Sequence, residues 1–350
     1  MLTAVLSYAA LRALSLVILA IWAAHRHTNL VTLLGRHYDA AHYVSIANHG
    51  YSTMNLAFFP LFPGLIRAAT VLGCSATVAA IAIAWLASLV AAAGLFKVGS
   101  LVGDHRTGFM LVALWAVLPH ALVESMAYTE GLFTAFASWS LYFALRERWV
   151  LAGVLCCFAG VTRPTAVALI AALGIAAIVE VVRNRRWVAL SAPAIGGAGW
   201  LGYLVWVGVR LHRADGWFWV QKHLWHSQFD GGRYNLTEFE QLFTGHRNSL
   251  ELYVVSAVVL CAGLFLLLSL SARQPLILVA YSASVLVLTL ASSTGLNKAR
   301  LLIPAFALLL PPAAALARAR TRDAIAIVGM FAAVSAWFGG YLALIWPWSP

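Results

Sequence analysis

The sequence predicts an all-α bundle that crosses a membrane many times, and three observations carry that expectation. Hydrophobic residues make up 62% of the chain and charged residues 10%, with a mean hydropathy of +0.86. A water-soluble domain of this length needs more charge to cover its surface. Apolar runs of about twenty residues, enough to cross a bilayer, recur from end to end. Short Arg-rich segments separate many of them, the pattern of cytoplasmic loops.

The expected spans, about eleven, run approximately over 2–24, 76–97, 107–122, 129–145, 149–162, 165–182, 188–209, 250–270, 275–292, 301–317 and 324–346. The first has no clean small-residue cleavage site, so an uncleaved helix is expected rather than a signal peptide. Arg12 inside it either snorkels to the interface or pairs internally. The apolar segment 57–72 carries Pro60, Pro63 and Gly64. It is read as an interfacial or re-entrant helix rather than a twelfth span. Pro164 divides the short pair 149–162 and 165–182, so a broken or partly re-entrant arrangement is open there. Residues 1–350 are expected to form one integral membrane domain, with a first outer loop at 25–75 and a long aromatic and basic outer loop at 210–249.

With 57–72 kept outside, the short basic loops 97–106, 146–148, 183–186, Arg273 and 318–322 all fall on one face, the cytoplasmic one. The other face receives 26–70, 119–130, 162–165, 210–248 and 293–300, which hold Asp, Glu, His, Trp and Tyr. The net charge of +11 is thereby spread between apolar spans, which argues against nucleic acid as a partner. Cys74, Cys156, Cys157 and Cys261 show no ligand spacing and read as small core residues. Active chemistry on the non-cytoplasmic face is expected: the outer face of a bacterial plasma membrane, or the ER membrane in a eukaryote.

Only twelve carboxylates occur in the chain, so few groups are available for proton chemistry. Asp39 heads them. It stands among His37, Tyr38, His42 and Tyr43 in the first polar segment after a span, and the apolar ledge 57–63 follows. An N-cap is the alternative role. Glu130 and Glu124 sit near hydrocarbon at the outer mouth of two spans, where a carboxylate needs a partner or a cavity. For Glu130 a favourable helix-dipole contact is the plainer account. Arg163, beside the Pro164 break, and Lys298 or Arg300 have the donors to clamp a phosphate. Snorkelling to lipid headgroups is the alternative for all three. In the long outer loop, Trp217, Phe218, Trp219, His223, Trp225 and His226 suit a helix at headgroup level. Gln221 and Trp225 are the candidates there for substrate contact. Asn235, Leu236 and Thr237 match a glycosylation sequon. Walker A, dinucleotide, metalloprotease and nucleophile-elbow motifs are absent.

Taken in order, several segments resemble the PIG-V-like mannosyltransferases, of the GT-C class of membrane glycosyltransferases. They are Tyr38-Asp39-Ala40-Ala41-His42-Tyr43 with Ile46-Ala47-Asn48-His49-Gly50-Tyr51, then Ala57-Phe58-Phe59-Pro60-Leu61-Phe62-Pro63, then Tyr128-Thr129-Glu130-Gly131-Leu132-Phe133. Leu151-Ala152-Gly153 leading to Thr162-Arg163-Pro164-Thr165 follows, and Arg300-Leu301-Leu302-Ile303-Pro304-Ala305-Phe306 closes the series. The resemblance covers most of 30–310. Tyr38 departs from the Trp usual in that family before the Asp. The resemblance implies a polyprenyl-phosphate sugar donor, most often of mannose, an inverting displacement, and a glycan or glycolipid acceptor beside membrane lipid. Asp39 is then the expected base and Arg163 with Lys298 or Arg300 the phosphate clamp. Glu130 is expected to position the acceptor or to support Asp39 through His42, and Tyr38 and His42 to contact the sugar. No cofactor is predicted, because a lipid monophosphate has no diphosphate to chelate; a divalent metal is left open. Two rivals stand beside this: a transporter or flippase of a lipid-linked sugar, and a GT-C enzyme using another polyprenyl-phosphate sugar. The acids gather at one face and no internal repeat is evident, which favours an enzyme.

Overall fold

A computed structural model describes residues 1–245, 248–293 and 296–349. Residues 246–247 and 294–295 of two expected outer loops lie outside the described residues. In chain order the helices are α1 (Leu2–His25), α2 (Leu30–Arg36), α3 (Asp39–His49), α4 (Leu61–Val71), α5 (Ala76–Val102), α6 (His105–Ala116), α7 (Glu130–Leu145), α8 (Trp149–Gly160) and α9 (Ala166–Asn184). They continue with α10 (Ser191–Leu211), α11 (Gly216–Leu224), α12 (Arg233–Thr244), α13 (Leu250–Ser271), α14 (Leu276–Leu290), α15 (Lys298–Leu301), α16 (Leu310–Arg318) and α17 (Thr321–Leu344). No strand occurs among the described residues; one isolated bridge joins Phe229 to Ser292.

Against the expectation of about eleven spans, six helices among the described residues are long and apolar enough to cross a membrane: α1, α5, α9, α10 with its leading turn, α13 and α17. The remaining expected spans fall on α6, α7, α8, α14 and α16, of 9 to 16 residues. Proline explains much of the shortening, because it removes a donor from the ladder. Helix α6 stops ahead of Pro119 and α8 ahead of Pro164. Helix α4, with 11 residues, is about 16 Å long at the usual rise. It is too short to cross, which fits the interfacial or re-entrant reading of 57–72. Side chains fix several starts: Asn29 accepts from the Thr32 N–H, Ser75 from Val78, Asp104 from Thr107 and Ser249 from Leu252.

Small residues set the closest helix contacts. Helix α5 packs along α7, and α8 along α10. At Gly131 an added Cβ would collide with the Ser88 hydroxyl, and at Gly199 with the Cys157 carbonyl. Where lipid is as apolar as the protein, such close backbone approach is a main source of attraction. The α5–α7 contact matters most for function, because α7 begins at Glu130. Arg12 adopts the internal alternative: it is buried and donates to the Ser125 hydroxyl and the Ala116 carbonyl. With Tyr8, which donates to Glu124 at 2.7 Å, it fastens the turn ahead of α7 to α1.

Gly199→Leu is expected to lower the thermal midpoint in detergent, by overpacking of about 1–3 kcal/mol. Gly202→Leu, where an added Cβ meets nothing, is expected to leave it unchanged. Equal midpoints for both variants would refute the α8–α10 contact.

Candidate active site

Two helices present a carboxylate at their first residue: Asp39 opens α3 and Glu130 opens α7. Both positions favour negative charge, because the helix dipole and the first free N–H groups face it. Into the gap come two arginines from places where the helical ladder breaks. Arg163 stands between α8 and α9, ahead of Pro164, and Arg300 belongs to the four-residue α15. Arg300 Nε donates to Glu130 Oε1 at 2.5 Å, and its Nη2 pairs with Asp39 Oδ2. Arg163 Nη1 reaches the same Glu130 oxygen at 2.5 Å and donates to the Thr129 hydroxyl at 3.1 Å. Tyr43 OH lies 3.2 Å from that hydroxyl. Below Arg300, the Tyr128 ring centroid is 4.4 Å from the guanidinium carbon.

Two negative and two positive groups thus form a centre close to neutral. Burial works against the Arg300 charge, but Asp39 and then Glu130 outweigh it and hold its pKa well above the ordinary value. The two carboxylates differ in access. The Glu130 side chain is 0% exposed and that of Asp39 is 21% exposed. Of the two carboxylates, only Asp39 keeps an accessible edge. Glu130 Oε2 and Arg163 Nε are buried without a hydrogen-bond partner among the described residues. Each such unpartnered atom carries a desolvation cost even though Glu130 Oε1 is doubly paired.

The residue before Asp39 is strained. Tyr38 has φ +53, a left-handed conformation that costs a non-glycine residue about 1–3 kcal/mol. It turns the chain sharply into α3, and its hydroxyl donates to the Trp346 carbonyl at 3.1 Å. One turn on, His42 bonds Asn55 Oδ1 through Nδ1 at 2.9 Å. Its ring stacks on Phe58 and meets Trp225 edge-on, both at 5.0 Å, and Trp225 is fixed by donation to the Met54 carbonyl at 2.8 Å. Aromatic faces of this kind line up beside Asp39 on the same side of α3.

Of the residues singled out from sequence, Asp39, Glu130, Arg163 and Arg300 converge, with Tyr38, His42 and Trp225 beside them. The expected route from Glu130 to Asp39 through His42 is not the one found: His42 is engaged by Asn55, and Arg300 makes the link. Gln221 is half-buried one turn before Trp225, and its side chain makes no hydrogen bond or ion pair among the described residues. Lys298 turns the other way. Two residues from Arg300, it projects about 200° around the helix. Its ammonium donates to the Ser292 carbonyl at 3.1 Å and lies 5.2 Å from the Tyr234 ring centroid. It lines a separate cavity of about 320 Å³ with Asn235, Glu238 and Phe239. Tyr43, expected from sequence among the hydrogen-bonding and stacking groups around Asp39, joins the centre; Thr129, Tyr128 and Ser349 join it without having been assigned roles from sequence. For Thr129 and Tyr128 the motif around Glu130 was the available signal; Ser349 had none.

No family model and no curated protein matches the chain. Solved structures do supply a likeness. The fold resembles that of ArnT. The protein concerned is ArnT from Cupriavidus metallidurans bound to undecaprenyl phosphate; its TM-score is 0.60 at 15% identity, over 93% of this chain. The chain spans 63% of the length of that ArnT chain. The all-helical membrane fold expected from the sequence is therefore found, with an architecture like that of ArnT, and the chain is an integral membrane protein. At this identity the likeness to ArnT concerns architecture alone.

Burial lowers the Lys298 pKa from 10.5 to about 8, with Asp230 and Glu238 opposing. Between those pH values the unfolded chain holds a proton that the folded chain has released, so stability rises with pH across that window. The thermal midpoint in detergent is expected to climb from pH 8 towards pH 10, and Lys298→Met to flatten the climb. An unchanged climb in the variant would contradict the buried position of this amine.

Proposed function

We propose that this chain is a GT-C membrane glycosyltransferase that moves a sugar from a polyprenyl-phosphate donor to a lipid-linked or cell-envelope acceptor. The observation that carries the proposal is the two-arginine, two-carboxylate centre, whose guanidiniums suit a phosphate; a separate apolar groove, lined by none of its four charged residues, suits a lipid chain. The groove holds about 550 Å³ and is lined by residues such as Val258, Cys261, Phe265 and Phe306. Ala299 and Leu302, on either side of Arg300 along the chain, also line it. An isoprenoid chain needs such apolar walls, and its phosphate needs guanidinium donors within reach. ArnT was solved with undecaprenyl phosphate, which supports a lipid of this class. The resemblance of the sequence motifs to PIG-V-like enzymes favours mannose as the sugar and the non-cytoplasmic face as the place.

The chemistry follows from the access of each group. The acceptor hydroxyl approaches the anomeric carbon from the side opposite the phosphate. Asp39, the exposed carboxylate, takes its proton as the new C–O bond forms. The bond from the anomeric carbon to the phosphate oxygen breaks with its electron pair, and the configuration inverts. Arg300 and Arg163, whose Nε has no hydrogen-bond partner among the described residues, meet the charge that develops on the leaving phosphate. Glu130, sealed from solvent, holds both guanidiniums in place and is a positioning residue. His42 and Trp225 offer the apolar faces against which a sugar ring stacks.

Membranes bearing Asp39→Asn are expected to transfer radiolabelled mannose from a polyprenyl-phosphate donor roughly 10²–10⁴-fold more slowly than the parent, with donor binding retained. Arg300→Lys, which keeps the charge and loses the fork, is expected to weaken donor binding as well. Transfer at the parental rate by Asp39→Asn would remove Asp39 as the base. No transfer from any polyprenyl-phosphate sugar would remove the activity itself.

A further inference from the structure

The segment that follows α17 is drawn into the site at two points. The Trp346 carbonyl accepts from Tyr38 OH at 3.1 Å. Ser349 Oγ accepts from Arg300 Nη1 at 3.0 Å and lies 3.2 Å from Tyr128 OH. Residues 346–349 therefore form a strap across the centre, anchored beside Asp39 at one end and on Arg300 at the other.

The three described partners of Arg300 are unequal. Asp39 and Glu130 are carboxylates, and Ser349 is a neutral hydroxyl. The guanidinium makes all three bonds charge-assisted, but only the carboxylates add an opposite charge to the pair. Stripping a buried carboxylate of its counter-ion also costs far more than releasing a hydroxyl to water. A phosphate oxygen arriving at Arg300 therefore exchanges with Ser349 and leaves the carboxylates in place.

We infer that Ser349 is a placeholder in the phosphate seat of Arg300, and that the 346–349 strap is displaced when a lipid phosphate monoester binds. This rests on the lipid-phosphate reading of the site. It adds a closed resting state in which Arg300 and the Tyr128 hydroxyl are covered until the donor arrives. Displacement also uncovers the side of the centre on which Tyr38 and Asp39 lie, so donor binding and access to the base are coupled.

The test uses the purified full chain in detergent, with undecaprenyl phosphate in one arm and inorganic phosphate at equal concentration in the other. Ser349→Ala removes the placeholder and is expected to bind undecaprenyl phosphate roughly tenfold more tightly, the lower end of the worth of one hydrogen bond to a charged group. Ser349→Asp puts a competing carboxylate in the seat and is expected to bind at least about tenfold more weakly. In a variant carrying Ser349→Cys with the native cysteines replaced, maleimide labelling at position 349 is expected to speed up when undecaprenyl phosphate is added. Equal affinities for the Ala and Asp variants and the parent, or labelling unmoved while the lipid is bound, would overturn the strap and leave the donor reading standing. Release by inorganic phosphate alone would overturn the lipid specificity of the displacement. Failure of the parent and of every variant to bind undecaprenyl phosphate would sink the donor reading and the strap together.

Discussion

The Glu130 carboxylate lies between two guanidiniums, sealed from water at the first turn of α7, and the remainder of the site is arranged around that contact. One of its oxygens receives both Arg163 and Arg300, which fixes two cations that would otherwise repel each other. Arg300 then carries the connection outward to Asp39, whose carboxylate alone keeps an exposed edge. A lone buried carboxylate in a membrane protein is expensive, and its ion pairs recover that expense only when the geometry is held rigidly. The rigidity comes from the scaffold: Gly131 lets α7 lie against α5 at Ser88, and Tyr8 and Arg12 tie the turn ahead of Glu130 to α1.

Much of the centre was legible because the chain is so apolar. Against that background Asp39, Glu130, Arg163 and Arg300 stand out as polar residues that a lipid-facing helix would not carry, and all four meet. The pairing itself was not legible. Periodicity places a residue on a face of its own helix, whereas Arg163 and Arg300 sit at helix breaks and approach from opposite parts of the chain. Lys298 and Arg300 look equivalent in sequence, yet two helical positions turn them to different cavities. Ser349 was invisible, since a single serine after Trp346-Pro347-Trp348 has no pattern to mark it.

The span count was the least legible feature of the fold. Hydropathy sees a continuous apolar run through 107–122, but the helix there ends at Ala116 and the chain turns into buried, irregular structure before α7 begins. Irregular backbone at that depth is tolerated where it is buried in protein or lines a cavity. Here the turns between α6 and α7, and between α8 and α9, deliver Thr129, Glu130 and Arg163 to the centre. The shortened helices and the site are therefore one feature: backbone leaves the helical ladder where side chains must converge. The aromatic group of His42, Phe58 and Trp225 extends the same principle, packing Trp225 onto α3 beside Asp39.

The most direct measurement is a double-mutant cycle between Glu130→Gln and Arg300→Met, read on binding of undecaprenyl phosphate with thermal midpoints as the folding control. If Glu130 acts by holding Arg300 as well as Arg163, the losses overlap in part: the double variant loses less than the sum, with a coupling of roughly 2 kcal/mol, and the remainder reflects Arg163. Losses that simply add, with each variant equally folded, would show the two residues acting independently and contradict the shared carboxylate as the organising contact.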